Sequence, residues 1–336
     1  MIAGPFLLIG VAVVVAAAFP WAACSDCDAP LRPEISVFWV VIPLIFLFEG
    51  LTLPTAAVIA AASRCSAHIA ILAFNFGAVL VMVLSCWGGL SALSTTALDS
   101  RLRDGFVALA AVPTTTSMCV MHSTAAGGNA ALAAFAALLS NVCAVAVTPA
   151  ILAWACSTAV VDGAALCLGL AGKMALPLLA GQLLRPHVGG LLASRAAAVA
   201  ATNRGLIFCL LVQILSDIVY WGARISPLLL ALVVPTVVIM HLLAFAGAWV
   251  ALRPACTGVE ERVAVTYAAS QKTVVLGLPL LRAVFADRTP EERALVLLPL
   301  ITYHIFTLLF GLAVAPHLRA LVEAQQRNTS RTGVLL

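Results

Sequence analysis

The chain has 336 residues, 63% of them hydrophobic and only 10% charged, with a mean hydropathy of +1.12. That is the composition of a membrane protein and leaves almost nothing for a soluble domain. A dispersed formal charge of +4 with no polybasic run gives no footing to nucleic acid or to a headgroup patch, so the lipid bilayer is the expected partner.

Roughly 20 apolar residues cross a bilayer, and ten such spans are predicted in chain order: about 2–22, 35–52, 67–92, 105–123, 129–155, 164–184, 203–222, 226–251, 261–285 and 294–318. The first lacks a basic leader and reads as a retained helix rather than a signal peptide. Cys24 and Cys27 follow it in a CxxC; with no second pair no zinc site is expected, and no metal or cofactor is predicted. Glu49 ends the second span, and Asn75 lies in the third. In the fourth, Pro113 precedes Thr114, Thr115, Thr116 and Ser117; proline inside a helix removes a backbone bond and kinks it, freeing carbonyls beside a run of hydroxyls. Asn129 opens the fifth span, which also holds Asn141. Lys173 falls in the sixth, Asp217 in the seventh and His241 in the eighth. The ninth packs Ser270, Gln271, Lys272 and Thr273 together, with Gly277 and Pro279 just beyond, and the tenth carries Tyr303 and His304. Helix breaks are therefore expected at Pro113 and at Gly277 and Pro279. Residues 321–336 form a polar tail.

Arg and Lys divide the work. Of 18 basic residues only Lys173 and Lys272 are lysines, and both sit in apolar runs. A charge at the centre of a membrane helix costs at least about 2.5–3.5 kcal/mol and points to a cavity or a partner. Lys173 reads as a snorkelling side chain and Lys272 as a functional one. Glu49 and Asp217 occupy roughly corresponding places in the two halves, as coupling acids or as interfacial charges. Asn75, Asn141 and His241 read as makers of interhelical hydrogen bonds. Arginine counts of nine against seven favour termini on the cytoplasmic side.

Ala146-Val147-Thr148-Pro149 near the end of the fifth span is echoed by Ala313-Val314-Ala315-Pro316 near the end of the tenth. An odd number of spans per half inverts the second copy, so the expected fold is all-α, one domain over 1–336, with a first repeat over 1–156 and an inverted one over 164–320. Such transporters place their site at the midplane, where discontinuous helices from the two halves meet. No HExxH, GxSxG, Walker or dinucleotide motif nominates an enzyme.

The blocks 28–53, "TAAGGNAALAAF" (124–135), "VTPAIL" (147–152), "SQKTVVLGLPLLRAVF" (270–285) and "LPLITYH" (298–304) resemble the bile acid:sodium symporter superfamily, within it the sodium/bile acid cotransporter 7 branch and its bacterial relatives. The resemblance implies ten spans in panel and core domains, with helices 4 and 9 broken and crossing, and symport of an organic anion with sodium by alternating access. The candidate substrate or ion site comprises the polar residues Thr115, Thr116 and Ser117 of the fourth span, Asn129 of the fifth, Ser270, Gln271, Lys272 and Thr273 of the ninth, and Tyr303 and His304 of the tenth. Residence in the plasma membrane or an internal secretory-pathway membrane (Golgi or ER) is equally implied. The alternative it carries is a non-transporting regulator of calcium entry and Golgi homeostasis, acting through loops such as 185–203 and 286–293.

The chain departs from that pattern where sodium would bind. The acid of the ninth helix is missing from Ala268-Ala269-Ser270-Gln271, Ala133 and Ala137 replace expected hydroxyls, and Lys272 stands nearby. An ammonium repels a neighbouring cation. The expectation is that Lys272 substitutes for a bound sodium, and that a lysine able to change protonation lets a proton replace sodium as coupling ion. A lysine and exposed half-helix N-termini would both suit an anion.

Overall fold

The structure, a computed structural model, describes residues 11–333 apart from 13, 23–28, 33–34, 53–54, 94–99, 157–167, 170 and 222–226. Cys24, Cys27 and half of the first predicted span lie outside the described residues. Every regular element among those described is helical. A π-helical segment at Ser36–Val41 leads into α1 (Ile42–Thr52), followed by α2 (Thr55–Ala62) and α3 (Cys65–Leu72). A second π-helical segment, Ala73–Ala78, joins α3 to α4 (Val79–Leu93). Then come α5 (Ser100–Ala111), α6 (Thr116–Ala125) and α7 (Ala130–Cys156), a third π-helical segment at Ala171–Ala175, and α8 (Leu176–Ser194). The chain closes with α9 (Ala196–Trp221), α10 (Pro227–Ala251), α11 (Val259–Ser270), α12 (Val274–Val284) and α13 (Pro290–Gly333).

Four helices are long and apolar enough to cross a membrane unaided: Cys65–Gly88, Ala130–Cys156, Pro227–Ala251 and Pro290–Thr329. The predicted fourth and ninth spans are instead each a pair of helices, of 12 and 10 residues and of 12 and 11. At 1.5 Å per residue neither half covers the roughly 30 Å hydrocarbon core alone. Two predicted boundaries also move. The stretch 185–203, expected as a loop, is helical except at Arg195, because its alanine-rich sequence favours helix. The predicted polar tail continues α13 to Gly333 and docks on the start of α11, where Gln325 Oε1 accepts from Val259 N (2.7 Å) and Gln326 Nε2 donates to Glu260 Oε1 (2.7 Å).

The first halves of the two broken elements are the most buried helices. Phe106–Val112 and Val263–Ser270 are buried without interruption, each at the centre of an apolar cluster. Their small side chains let neighbours approach closely, the packing mode available where lipid supplies no hydrophobic drive between helices. Elsewhere α1 and α8 meet backbone to backbone. A Cβ on Gly50 would lie 2.2 Å from the Leu178 carbonyl oxygen and one on Gly181 2.4 Å from that of Leu47. Gln182 Nε2 donates to the Gly50 carbonyl (2.7 Å), so the pair is locked as a unit.

Candidate functional site

Two extended interruptions face each other inside this bundle. The first covers residues 112–115. Pro113 has no N–H to continue α5 and disfavours helical backbone at Val112; Thr115, at φ −81° and ψ 129°, then caps α6. The second covers Gln271, Lys272 and Thr273, extended at φ −85° and ψ 153° for Gln271 and φ −92° and ψ 137° for Thr273. Thr273 Oγ1 accepts from Val275 N (3.2 Å) and starts α12.

The predicted break at Gly277 and Pro279 is therefore displaced toward the N-terminus, since both residues lie inside α12. Gly277 serves close approach: a Cβ there would meet Leu300 Cδ2 at 2.7 Å and Val112 Cγ1 at 3.1 Å. Pro279 forgoes one helical bond, and the helix continues to Val284.

Breaking a helix strands carbonyls that need partners at membrane depth, and here nine of them have one. On the first break the Ala110 and Val112 carbonyls accept from Lys272 Nζ (2.7 and 3.0 Å), that of Ala111 from Thr148 Oγ1 (2.7 Å), that of Pro113 from Thr273 N (2.8 Å) and that of Thr114 from Asn141 Nδ2 (3.0 Å). On the second, Asn75 Nδ2 donates to the Ala269 and Gln271 carbonyls (3.3 Å each), Tyr303 Oη to that of Ser270 (2.5 Å), and His304 Nδ1 approaches that of Lys272 at 3.4 Å. Tyr303 Oη has spent its hydrogen on Ser270, so at 3.0 Å it accepts from His241 Nδ1.

Lys272 joins the two breaks. Its side chain is completely buried, and Nζ donates to the Asn75 carbonyl (2.7 Å), Asn75 Oδ1 (3.0 Å) and the Ala110 and Val112 carbonyls. Four oxygens surround three N–H donors, and the Phe76 ring centroid lies 5.7 Å away. Among the described residues its four hydrogen-bond partners are all neutral oxygens, the ligand type of a hard cation, at N–H···O spacing rather than the shorter metal–oxygen spacing of about 2.3–2.6 Å for calcium. Asn75 offers two of them because it sits in the π-helical segment Ala73–Ala78, a form that recurs at functional sites.

Of the predicted site residues, Ser270, Gln271, Lys272, Thr273, Tyr303 and His304 converge on the second break and Thr115 and Thr116 on the first. Gln271 Nε2 donates to His122 Nδ1 (2.6 Å), whose ring fits because residue 311 is glycine: a Cβ there would fall 2.4 Å from that nitrogen. Asn129 is placed elsewhere. Its Oδ1 accepts from Leu132 N (3.0 Å) as the cap of α7, and its N–H donates to Glu260 at the far end of α11, about 16 Å of helix from Gln271. The side chains of Ser117, Asp217 and Pro279 fall outside the described residues. In this structure the hydrogens of Lys272 Nζ are committed to protein oxygens. Asn75 and Asn141, read from sequence as ordinary interhelical bonds, hold the breaks; His122, Ser140 and Thr148 went unnoticed. Ser140 Oγ accepts from Thr114 N (3.3 Å).

Glu49, 8% exposed, faces a second feature. Between the α1–α8 pair and α6–α7 lies a narrow cleft with free space of about 10 Å³, room for a single water, lined among others by Phe46, Glu49, Thr116, Asn141, Val145 and Leu178. It meets the first break on the side where Thr116 begins α6.

The profile of the SBF-like CPA transporter family matches residues 5–320. Similar proteins include sodium/bile acid cotransporter 7 of Rattus norvegicus, 25% identical over 332 residues covering 97% of this chain and 96% of the relative. The protein of the same name from Danio rerio is 24% identical over 328 residues, 96% of each chain. The putative symporter YfeH of Escherichia coli (strain K12) is 24% identical over 347 residues, 97% of each.

Proposed function

The chain belongs to the SBF-like CPA transporter family, and from that premise we propose that it is a secondary active transporter moving an organic anion-type solute by alternating access, with no sodium at the crossing of its broken helices. The proposed frame is ten spans in two inverted five-helix repeats, resident in the plasma membrane or a secretory-pathway membrane with cytoplasmic termini. The observation that carries the reading is the Lys272 ammonium, held by four neutral oxygens drawn from both sides of the crossing. A tethered cation there does what a bound one would: it screens stranded carbonyl dipoles and ties the breaks together. A sodium ion alongside would meet like charge.

The solute route is the cleft beside Thr116. The N-terminal end of α6 gives it a partial positive charge, which suits an anion. The rocking body is the α1–α8 pair, whose backbone contacts make it move as one piece. The regulator alternative loses one of its two loops, since 185–203 is helical.

Proteoliposomes carrying the purified protein test the proposal with radiolabelled cholate, benzoate and succinate, imposing sodium and proton gradients separately. Uptake of at least one anion without sodium, lost in Lys272→Met, is the expected result. Absence of uptake under every gradient by folded protein would overturn it.

A further inference from the structure

A transporter whose crossing is filled by its own lysine needs another group to carry the coupling charge. We infer that Glu49 is that group, a proton-binding carboxyl on the wall of the cleft whose protonation admits the anion; the inference rests on the transporter reading above.

Glu49 is nearly buried and lies on α1, the moving side of the cleft, opposite Thr116 and Asn141 on the broken-helix side. The remaining lining is apolar: Phe46, Leu138, Val142, Val145, Ala175 and Leu178. That composition selects a proton over a metal ion. A hard metal cation needs a shell of several oxygens, and besides Glu49 the lining offers two polar side chains. Asn141 spends its nitrogen on the Thr114 carbonyl, the Ala137 carbonyl and Thr116 Oγ1, so both polar neighbours are already engaged with the first break. A proton needs one carboxyl only, and the protonation of a carboxyl in an apolar cleft responds to whether water reaches it.

The coupling follows from charge. With Glu49 ionised, an anion in the cleft meets a carboxylate across a few ångströms of low-dielectric space and is repelled. With Glu49 protonated, the repulsion is gone and the N-terminal end of α6 favours the anion. One proton is taken up with the anion on the side where the cleft is open and released with it on the other. Charged and titratable groups also lie on the elements packed against α1. On the π-helical segment before α8, Lys173 sits 4.5 Å over the Trp39 ring, and α8 carries Arg185 and His187 beyond Gln182. Asp217 and Tyr220 lie on α9; α6 and α7 place no charged residue on the cleft.

Two readouts test it, one of which needs no solute. Infrared difference spectroscopy of the protein in liposomes, titrated with pH, should show a protonated carboxyl band that disappears as pH rises and is missing from Glu49→Gln; the same band in Glu49→Gln overturns the inference. In proteoliposomes loaded with cholate, benzoate and succinate, Glu49→Gln should lose acceleration of uptake by an imposed pH gradient, and whatever exchange it supports at equal pH should no longer vary with pH. Gradient-driven uptake unchanged in Glu49→Gln also overturns it. If Glu49→Gln yields no folded protein, Thr116→Val keeps the carboxyl and should move the midpoint of the wild-type band, and an unmoved midpoint counts against the inference. Absence of all uptake in the wild type sinks the transporter reading, whereas a wild-type protein that transports yet shows no Glu49 band sinks the proton site alone.

Discussion

The two breaks share a geometry and differ in how the sequence encodes them. The first is written locally: Pro113 cannot continue α5, and three threonines follow it. The second contains neither proline nor glycine, yet Gln271 and Thr273 are as extended as Thr115. Its conformation is set by partners 160 to 197 residues away, chiefly the oxygens around Lys272 Nζ. The first break thus has a local cause that its tertiary partners reinforce, whereas the second has no local cause and depends on the Lys272 side chain.

Removing Lys272 should therefore have the largest effect. Lys272→Met leaves four buried oxygens without a donor and should cost about 3–5 kcal/mol, lowering Tm by roughly 10 °C in a thermal melt of detergent-solubilised protein. Asn75→Leu comes next, since it removes one acceptor from Lys272 and both donors to Ala269 and Gln271; a loss of about 2–3 kcal/mol is expected in the same melt. Tyr303→Phe deletes the bond to the Ser270 carbonyl and the one accepted from His241 and should cost about 1–2 kcal/mol, with the Ser270 amide and its neighbours exchanging faster in hydrogen–deuterium exchange. Pro113→Ala should do least. The Ala110 to Thr114 carbonyls keep their partners, so the interruption persists and stability changes by less than about 1 kcal/mol. A large loss in Pro113→Ala with a small one in Lys272→Met would reverse the contrast between the breaks.

What the sequence disclosed follows the same division. Proline, composition and the scarcity of lysine are local signals, and they located the first break, the membrane class and Lys272 as a residue out of place. The second break was misplaced to Gly277 and Pro279 because those are the local breakers nearby, while the partners that hold Gln271 to Thr273 extended come from α5, α13 and the π-helical segment at Ala73–Ala78. Asn75 looked like any amide in an apolar run. Nothing in its neighbours signals a π-helical segment that turns its carbonyl toward Lys272. Asn129 misled for the opposite reason, since an Asn after two glycines is also what a helix cap looks like.

The central claim is that the Lys272 ammonium stands in the place of a bound cation, and cation-dependent thermal stability tests it most directly. Melts of wild type and Lys272→Ala are compared in choline, sodium and ammonium chloride at equal ionic strength. The wild type should be indifferent to the cation, and Lys272→Ala, with its four oxygens exposed to a vacated space, should be stabilised by ammonium or sodium in a concentration-dependent way. A wild type that melts several degrees higher in sodium than in choline, or a Lys272→Ala protein that responds to no cation, would contradict it.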